Sequence, residues 1–131
     1  MKDINKTFFA PQLFIKNGTK DISFYEKAFG AIERMKLTND DGSIHVAELA
    51  IDDTIFHLHE ETSNPRHFNP QKHNGTTVII GLFVPDVDAV MGKAVEAGAV
   101  VSSPAQSYDY GYRQGQVIDP FGHVWMIEMK I

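Results

Sequence analysis

Two stretches of this chain repeat one pattern, and that duplication limits the fold more than any other feature. Residues 13–35 read LFIKNGTKDISFYEKAFGAIERM, and residues 82–104 read LFVPDVDAVMGKAVEAGAVVSSP. Each opens on an apolar strand, breaks, runs into an amphipathic helix and leaves through Gly-Ala into another strand. The offset is 69 residues from Leu13 to Leu82 and 68 from Gly30 to Gly98. Two copies are too few for a solenoid, so they must bury their apolar faces against each other as a pseudo-symmetric pair.

The elements follow from local patterns. Val87, Val90, Met91, Ala94 and Val95 keep helical spacing, Asp86 stands where an N-cap belongs, and Gly98 suits a left-handed exit. The matching first helix spans residues 20–29, with Ile22, Tyr25, Ala28 and Phe29 facing the core and Gly30 ending it. Three strands follow each helix, at 31–37, 44–51 and 54–60, then at 99–102, 112–118 and 123–130. Turn signals at Asp52-Asp53 and at Asp119-Pro120-Phe121-Gly122 separate the last two strands of each set. The expected fold class is α+β, with two βαβββ modules (8–60 and 77–131) in one domain. The stretch between them, 61–76, is rich in Asn, Pro and His. A connection of that length is often a lid or a binding loop.

Composition removes several classes of function. There is no cysteine, which excludes disulfides, thiolate catalysis and Cys-ligated metal centres. With 12 Lys+Arg against 17 Asp+Glu the net charge is −5, and no basic cluster stands out, so neither nucleic acid nor an anionic membrane surface is an expected partner. The longest apolar run, 78–84, is far short of the roughly 20 residues that span a bilayer. The N-terminal MKDINKTFFAPQ lacks the apolar stretch of a signal peptide, so a cytoplasmic location is expected. No P-loop or dinucleotide fingerprint is present.

The segments FYEKAFGA (24–31), DGSIHVAEL (41–49), DVDAVMGKAVEAGA (86–99) and YRQGQVIDPFGHVW (112–125) resemble the vicinal-oxygen-chelate superfamily. That group includes glyoxalase I, bleomycin-resistance proteins and extradiol dioxygenases, and the wording here is nearest its PhnB-like branch. The resemblance covers about residues 11–129. It implies two modules whose sheets curl into a cup, and a homodimer, sometimes with the cup shared between chains. In the metalloenzymes of the superfamily the ion is held by the first and last strand of each module. Alignment puts those four places at Ala10, His57, Ile79 and Met126. Three of these offer no donor to a hard or borderline divalent cation, and one imidazole cannot hold such an ion tightly. No cofactor is therefore expected, with a divalent metal at a relocated site as the alternative.

Strand alternation gives the expected lining. A two-residue turn at Asp52-Asp53 pairs Ile51 with Thr54, which sets Glu48 opposite His57 and Val46 opposite His59, all inward with Ile55. A four-residue turn at 119–122 pairs Ile118 with His123. It thereby turns Val117, Val124, Gly115, Met126, Arg113 and Glu128 inward, with Arg113 opposite Glu128. The first strands add Gln12 and Phe14, then Gly81 and Phe83. A slip of one residue would reverse every one of these faces. The ligand-contact candidates are thus Phe14, Glu48, His57, His59, Phe83, Tyr110, Arg113, Met126 and Glu128, on otherwise apolar walls. Tyr108, Tyr110 and Tyr112 lie near the expected mouth. His45 and His123 read as structural, and His67 and His73 as solvated linker residues or parts of a lid.

Two functions fit this lining. One is a metal-free binding protein that holds a hydrophobic or aromatic small molecule. The other is a glyoxalase-like enzyme of isomerase, lyase or dioxygenase type, using His57 and Glu48 as an acid–base pair or a relocated metal. Arg113 could grip a carboxylate or phosphate if Glu128 does not occupy it.

Overall fold

The computed structural model describes residues 5–131. Its elements run β1 (Gln12–Ile15), α1 (Phe24–Phe29), β2 (Ile32–Thr38), β3 (Ile44–Ile51), β4 (Thr54–Glu60), β5 (Ile79–Phe83), α2 (Val87–Glu96), β6 (Val100–Tyr108), β7 (Tyr112–Ile118) and β8 (Val124–Lys130). They form two open four-stranded mixed sheets of identical order, β1-β4-β3-β2 and β5-β8-β7-β6. In each, the first strand lies parallel to the last, and the remaining pairs are antiparallel. The duplicated α+β architecture is as the repeat requires.

The helix ends obey the local signals. Asp86 accepts a hydrogen bond from the Ala89 N–H, satisfying one of the donors that open α2. Gly30, at φ 69, carries α1 into the left-handed turn that a Cβ would resist. The first helix is shorter than its pattern, because the Asp21 carboxylate binds the N–H and hydroxyl of Ser23 and holds that stretch in a turn. The edge strand of the second sheet, β6, runs on to Tyr108, well past the expected end at 102.

Alternation gives every sheet a helix-covered face and an open face. Leu13, Ala47, Leu49, Phe56 and Leu58 pack beneath α1, and Val117, Trp125 and Ile127 beneath α2, in one continuous buried cluster. The modules are fastened through these covered sides. The Tyr25 hydroxyl donates to Asp119 Oδ2 at 2.5 Å, and the Trp125 indole N–H donates to the same oxygen at 2.9 Å. Trp125 also lies against Phe29 and Phe56 of the first module. His123 Nε2 sits 2.8 Å from the Phe14 carbonyl, on the edge of β1 that faces away from β4.

The long connection is tied down at several points. Glu61 Oε2 accepts from both the backbone and side-chain N–H of Asn69, and Gln71 donates to the Pro120 carbonyl. The His67 ring stacks on Phe14, with centroids 4.9 Å apart.

Candidate functional site

In the first module the expected register holds. Ile51 pairs with Thr54, Glu48 with His57 and Val46 with His59, and the parallel partner of His57 on β1 is Gln12. Gln12, Phe14, Val46, Glu48, Ile55, His57 and His59 therefore share the open face. His57 lies between two oxygens, with Nε2 2.9 Å from Glu48 Oε1 and Nδ1 3.1 Å from Gln12 Oε1. Towards the strand ends, His59 meets the rings of Phe14 and His45, and His45 Nδ1 stands 2.6 Å from Glu60 Oε2. That hydrogen bond holds the Glu60 carboxyl below the usual range.

In the second module the expected register is off by one residue. Ile118 pairs with Val124, not His123, so Val117 meets Trp125, Gln116 meets Met126 and Gln114 meets Glu128. The cause is the turn. Asp119 and His123 close it through a backbone hydrogen bond, and Gly122 takes φ 95, the left-handed position of a bulged three-residue loop. Asp119 Oδ1 accepts the N–H of both Phe121 and His123, which shapes that loop. The first module's hairpin has only Asp52 and Asp53 between its paired residues, with Asp52 at φ 51. The one extra residue explains why the repeat offset is 69 from β4 to β8 but 68 from β3 to β7.

Three sequence expectations are thereby corrected. Arg113 does not face Glu128; it lies on the helix-covered side, where its guanidinium takes both oxygens of Asp88 on α2, at 2.9 and 2.8 Å. That pairing holds the Asp88 carboxyl below its usual range and raises the guanidinium. Gly115 and Val117 are also turned to the core, and a Cβ on Gly115 would come within 2.8 Å of the Met91 methyl on α2. Met126, Val124, Phe83, Gly81 and Glu128 do share the open face.

Gln114 is the residue the sequence reading missed. Its side-chain N–H donates to Glu128 Oε1 at 2.8 Å, and its carbonyl oxygen accepts the Tyr110 hydroxyl at 2.5 Å. The Pro-Phe-Gly loop carries the signal that could have found it, since glycine in a left-handed position adds the residue that shifts β7 by one. Tyr110 itself stacks on Tyr108 and leans on Tyr112, whose ring meets Phe83 at 6.2 Å.

A cleft of about 1440 Å³ opens along β1 and β5. Gln12, Phe14 and Ile55 from one open face and Ile79 and Gly81 from the other line it, with Phe8, Phe9, His73 and His123. His57, Glu48 and Glu128 lie outside its wall, so this hollow and the polar clusters adjoin without coinciding. Directed hydrogen bonds orient a ligand, and an open apolar hollow does not. The open faces expose large apolar side chains besides, Ile79 at 53% and Phe83 at 59% among them.

The donor set does not suit a bound divalent ion at the four aligned places. Ala10, Ile79 and Met126 bring no hard donor, and both His57 nitrogens are engaged by oxygens. Among the described residues, no three His, Cys, Asp or Glu side chains converge as ligands elsewhere.

A duplicated βαβββ chain with two open sheets defines a recognisable class. The chain belongs to the Glyoxalase/Bleomycin resistance protein/Dioxygenase superfamily, whose sequence model matches residues 7–127. It is 35% identical over 125 residues to the uncharacterized protein Mb0911c of Mycobacterium bovis, spanning 93% of this chain and 82% of that one. The crystal structure of the Arabidopsis thaliana At5g48480 product superposes with a TM-score of 0.70 at 29% identity, over 93% of this chain and 98% of that one. The fosfomycin resistance protein FosX of Mesorhizobium loti shares the fold at a TM-score of 0.66 and 12% identity, over 96% and 93% of the two chains.

Proposed function

We propose that this chain is a metal-free binding protein of the PhnB-like branch, which holds a hydrophobic or aromatic small molecule on its open sheet faces. One observation carries the reading. The superfamily's ion positions retain a single imidazole whose two nitrogens are already held by Gln12 and Glu48, while the surrounding faces expose apolar and aromatic side chains. Exposed apolar area of this kind marks a surface that is covered in use. On this reading Phe14, Phe83, Met126 and Tyr110 supply contact area, and His57, His59, Glu48 and Glu128 supply orientation. His67, stacked on Phe14, makes the 61–76 connection the lid. The protein works as a cytoplasmic homodimer whose second copy covers part of the exposed sheet faces.

The Gln12–His57–Glu48 line favours one other reading, an enzyme in which His57 exchanges a proton with the ligand while Glu48 orients the ring. Metal analysis of the purified protein, with a thermal-shift series over nickel, zinc and manganese, tests the binding reading. Sub-stoichiometric metal and an unmoved melting temperature are expected. One tightly held ion per chain, or a rise of several degrees that His57→Ala abolishes, would overturn it.

A further inference from the structure

We infer that the open face of the second module recognises an organic cation, with the Glu128 carboxylate as its counter-charge. This rests on the ligand-binding reading above and specifies the ligand's chemistry. Glu128 is only 8% exposed, yet just one of its oxygens is satisfied, by the Gln114 side-chain N–H at 2.8 Å. Among the described residues no Lys, Arg or His nitrogen comes within 4.0 Å of it. Arg113, its expected partner, is spent on Asp88. Lys130 shares the face, opposite Tyr112, but makes no ion pair with any of the described residues.

The other carboxylate of low exposure is held differently. Asp119 receives four donors, from Tyr25, Trp125, Phe121 and His123, which is what a buried carboxylate ordinarily requires. Glu128 Oε2 has no donor among the described residues and keeps contact with solvent, since none of their buried side-chain oxygens lacks a partner, and it lies over the bare Cα of Gly81. A Cβ there would stand 2.8 Å from that oxygen, so glycine is what lets the carboxylate occupy the face. Gln114 is itself locked by Tyr110, so its N–H stays aimed at Oε1 and leaves Oε2 for a further donor. The rings of Phe83 and Tyr112 meet beside it, and π faces attract cations as well as flat apolar bodies. The site thus fits an ammonium or amidinium nitrogen carried on an aromatic frame, forming a charge-assisted hydrogen bond in a partly dry setting.

The test is a fluorescence titration of the full chain with two tricyclic probes of one shape, proflavine (cationic at neutral pH) and acridone (uncharged). Proflavine is expected to bind roughly tenfold or more tightly than acridone. Glu128→Gln should erase that preference, bringing the proflavine affinity down to that of acridone. Glu128→Ala, which also removes the charge, should do the same and stands independently should Glu128→Gln fold poorly. Equal affinity for the two probes, or a preference that survives either folded variant, would overturn the cation inference and leave the aromatic-binding reading intact. Failure of both probes to bind the wild-type chain would overturn that reading and the inference with it.

Discussion

The two modules share a plan on their covered faces and part company on their open ones. Beneath the helices the equivalent positions stay alike: Leu13 and Leu82, Ala47 and Gly115, Leu49 and Val117, Leu58 and Ile127, Phe56 and Trp125. On the open faces the same registers place Gly81 for Gln12, Gln116 for Glu48, Met126 for His57, Gln114 for Val46 and Glu128 for His59. Close packing limits what a covered position can hold, since an added or missing methylene there is felt at once. An open face bears no such restraint. The first module therefore carries an imidazole cluster and the second a lone carboxylate, on one backbone.

Four substitutions or titrations would break or sharpen this contrast. The largest effect is expected from Asp119→Ala, which orphans Tyr25, Trp125 and two backbone N–H groups at the junction of the modules. Urea unfolding should show a loss of about 3–5 kcal/mol. Asp52→Gly in the shorter hairpin of the first module should stay within about 1 kcal/mol of wild type, because its positive φ suits glycine. Equal losses at the two hairpins would erase the distinction drawn between them.

Gly115→Ala comes next. Its Cβ would press on the Met91 methyl at 2.8 Å and on the Ala105 backbone at 3.1 Å, so a loss of about 1–3 kcal/mol is expected. Were β7 in the register that turns residue 115 outward, the variant would melt with the wild type.

A third check is alkaline titration. Burial, then the neighbouring Asp119 charge, pushes the Tyr25 phenol well above the ordinary tyrosine range. The fold therefore favours the neutral phenol. That contribution is whole below the unfolded value of about 10 and is lost as pH rises beyond it. Ultraviolet absorbance should show Tyr25 ionising only as the chain unfolds, and Tyr25→Phe should remove that late step. Ionisation of Tyr25 within an intact fold would refute its burial at the junction.

The smallest effect belongs to Arg113→Ala. Its partner Asp88 is exposed on the outside of α2, and such pairs contribute little to stability. Melting temperature and proflavine affinity should both stay near wild type. A large loss of affinity would return Arg113 to the open face.

Most of the fold was legible because it rests on short-range rules. Leu13 and Leu82 hold matching places in β1 and β5, Gly30 and Gly98 end matching helices, and the alternation around Asp52-Asp53 sets Glu48 opposite His57. The second module misled at one place. The residue pattern suggests a four-residue turn after Ile118, and the bulge at Gly122 adds a fifth, which exchanges Arg113 for Gln114 and Gly115 for Gln116. Because side chains alternate with a period of two, that single residue was enough to reverse the strand.

The sequence by itself determined the duplication and the α+β class, because periodicity and residue chemistry are local properties. Only the tertiary structure decided that Arg113 is bound to Asp88 and that Glu128 is paired through one oxygen to Gln114, with the other left to solvent. Both outcomes depend on which strand faces meet after a turn closes, and on a helix arriving from elsewhere in the chain to offer a better-placed partner.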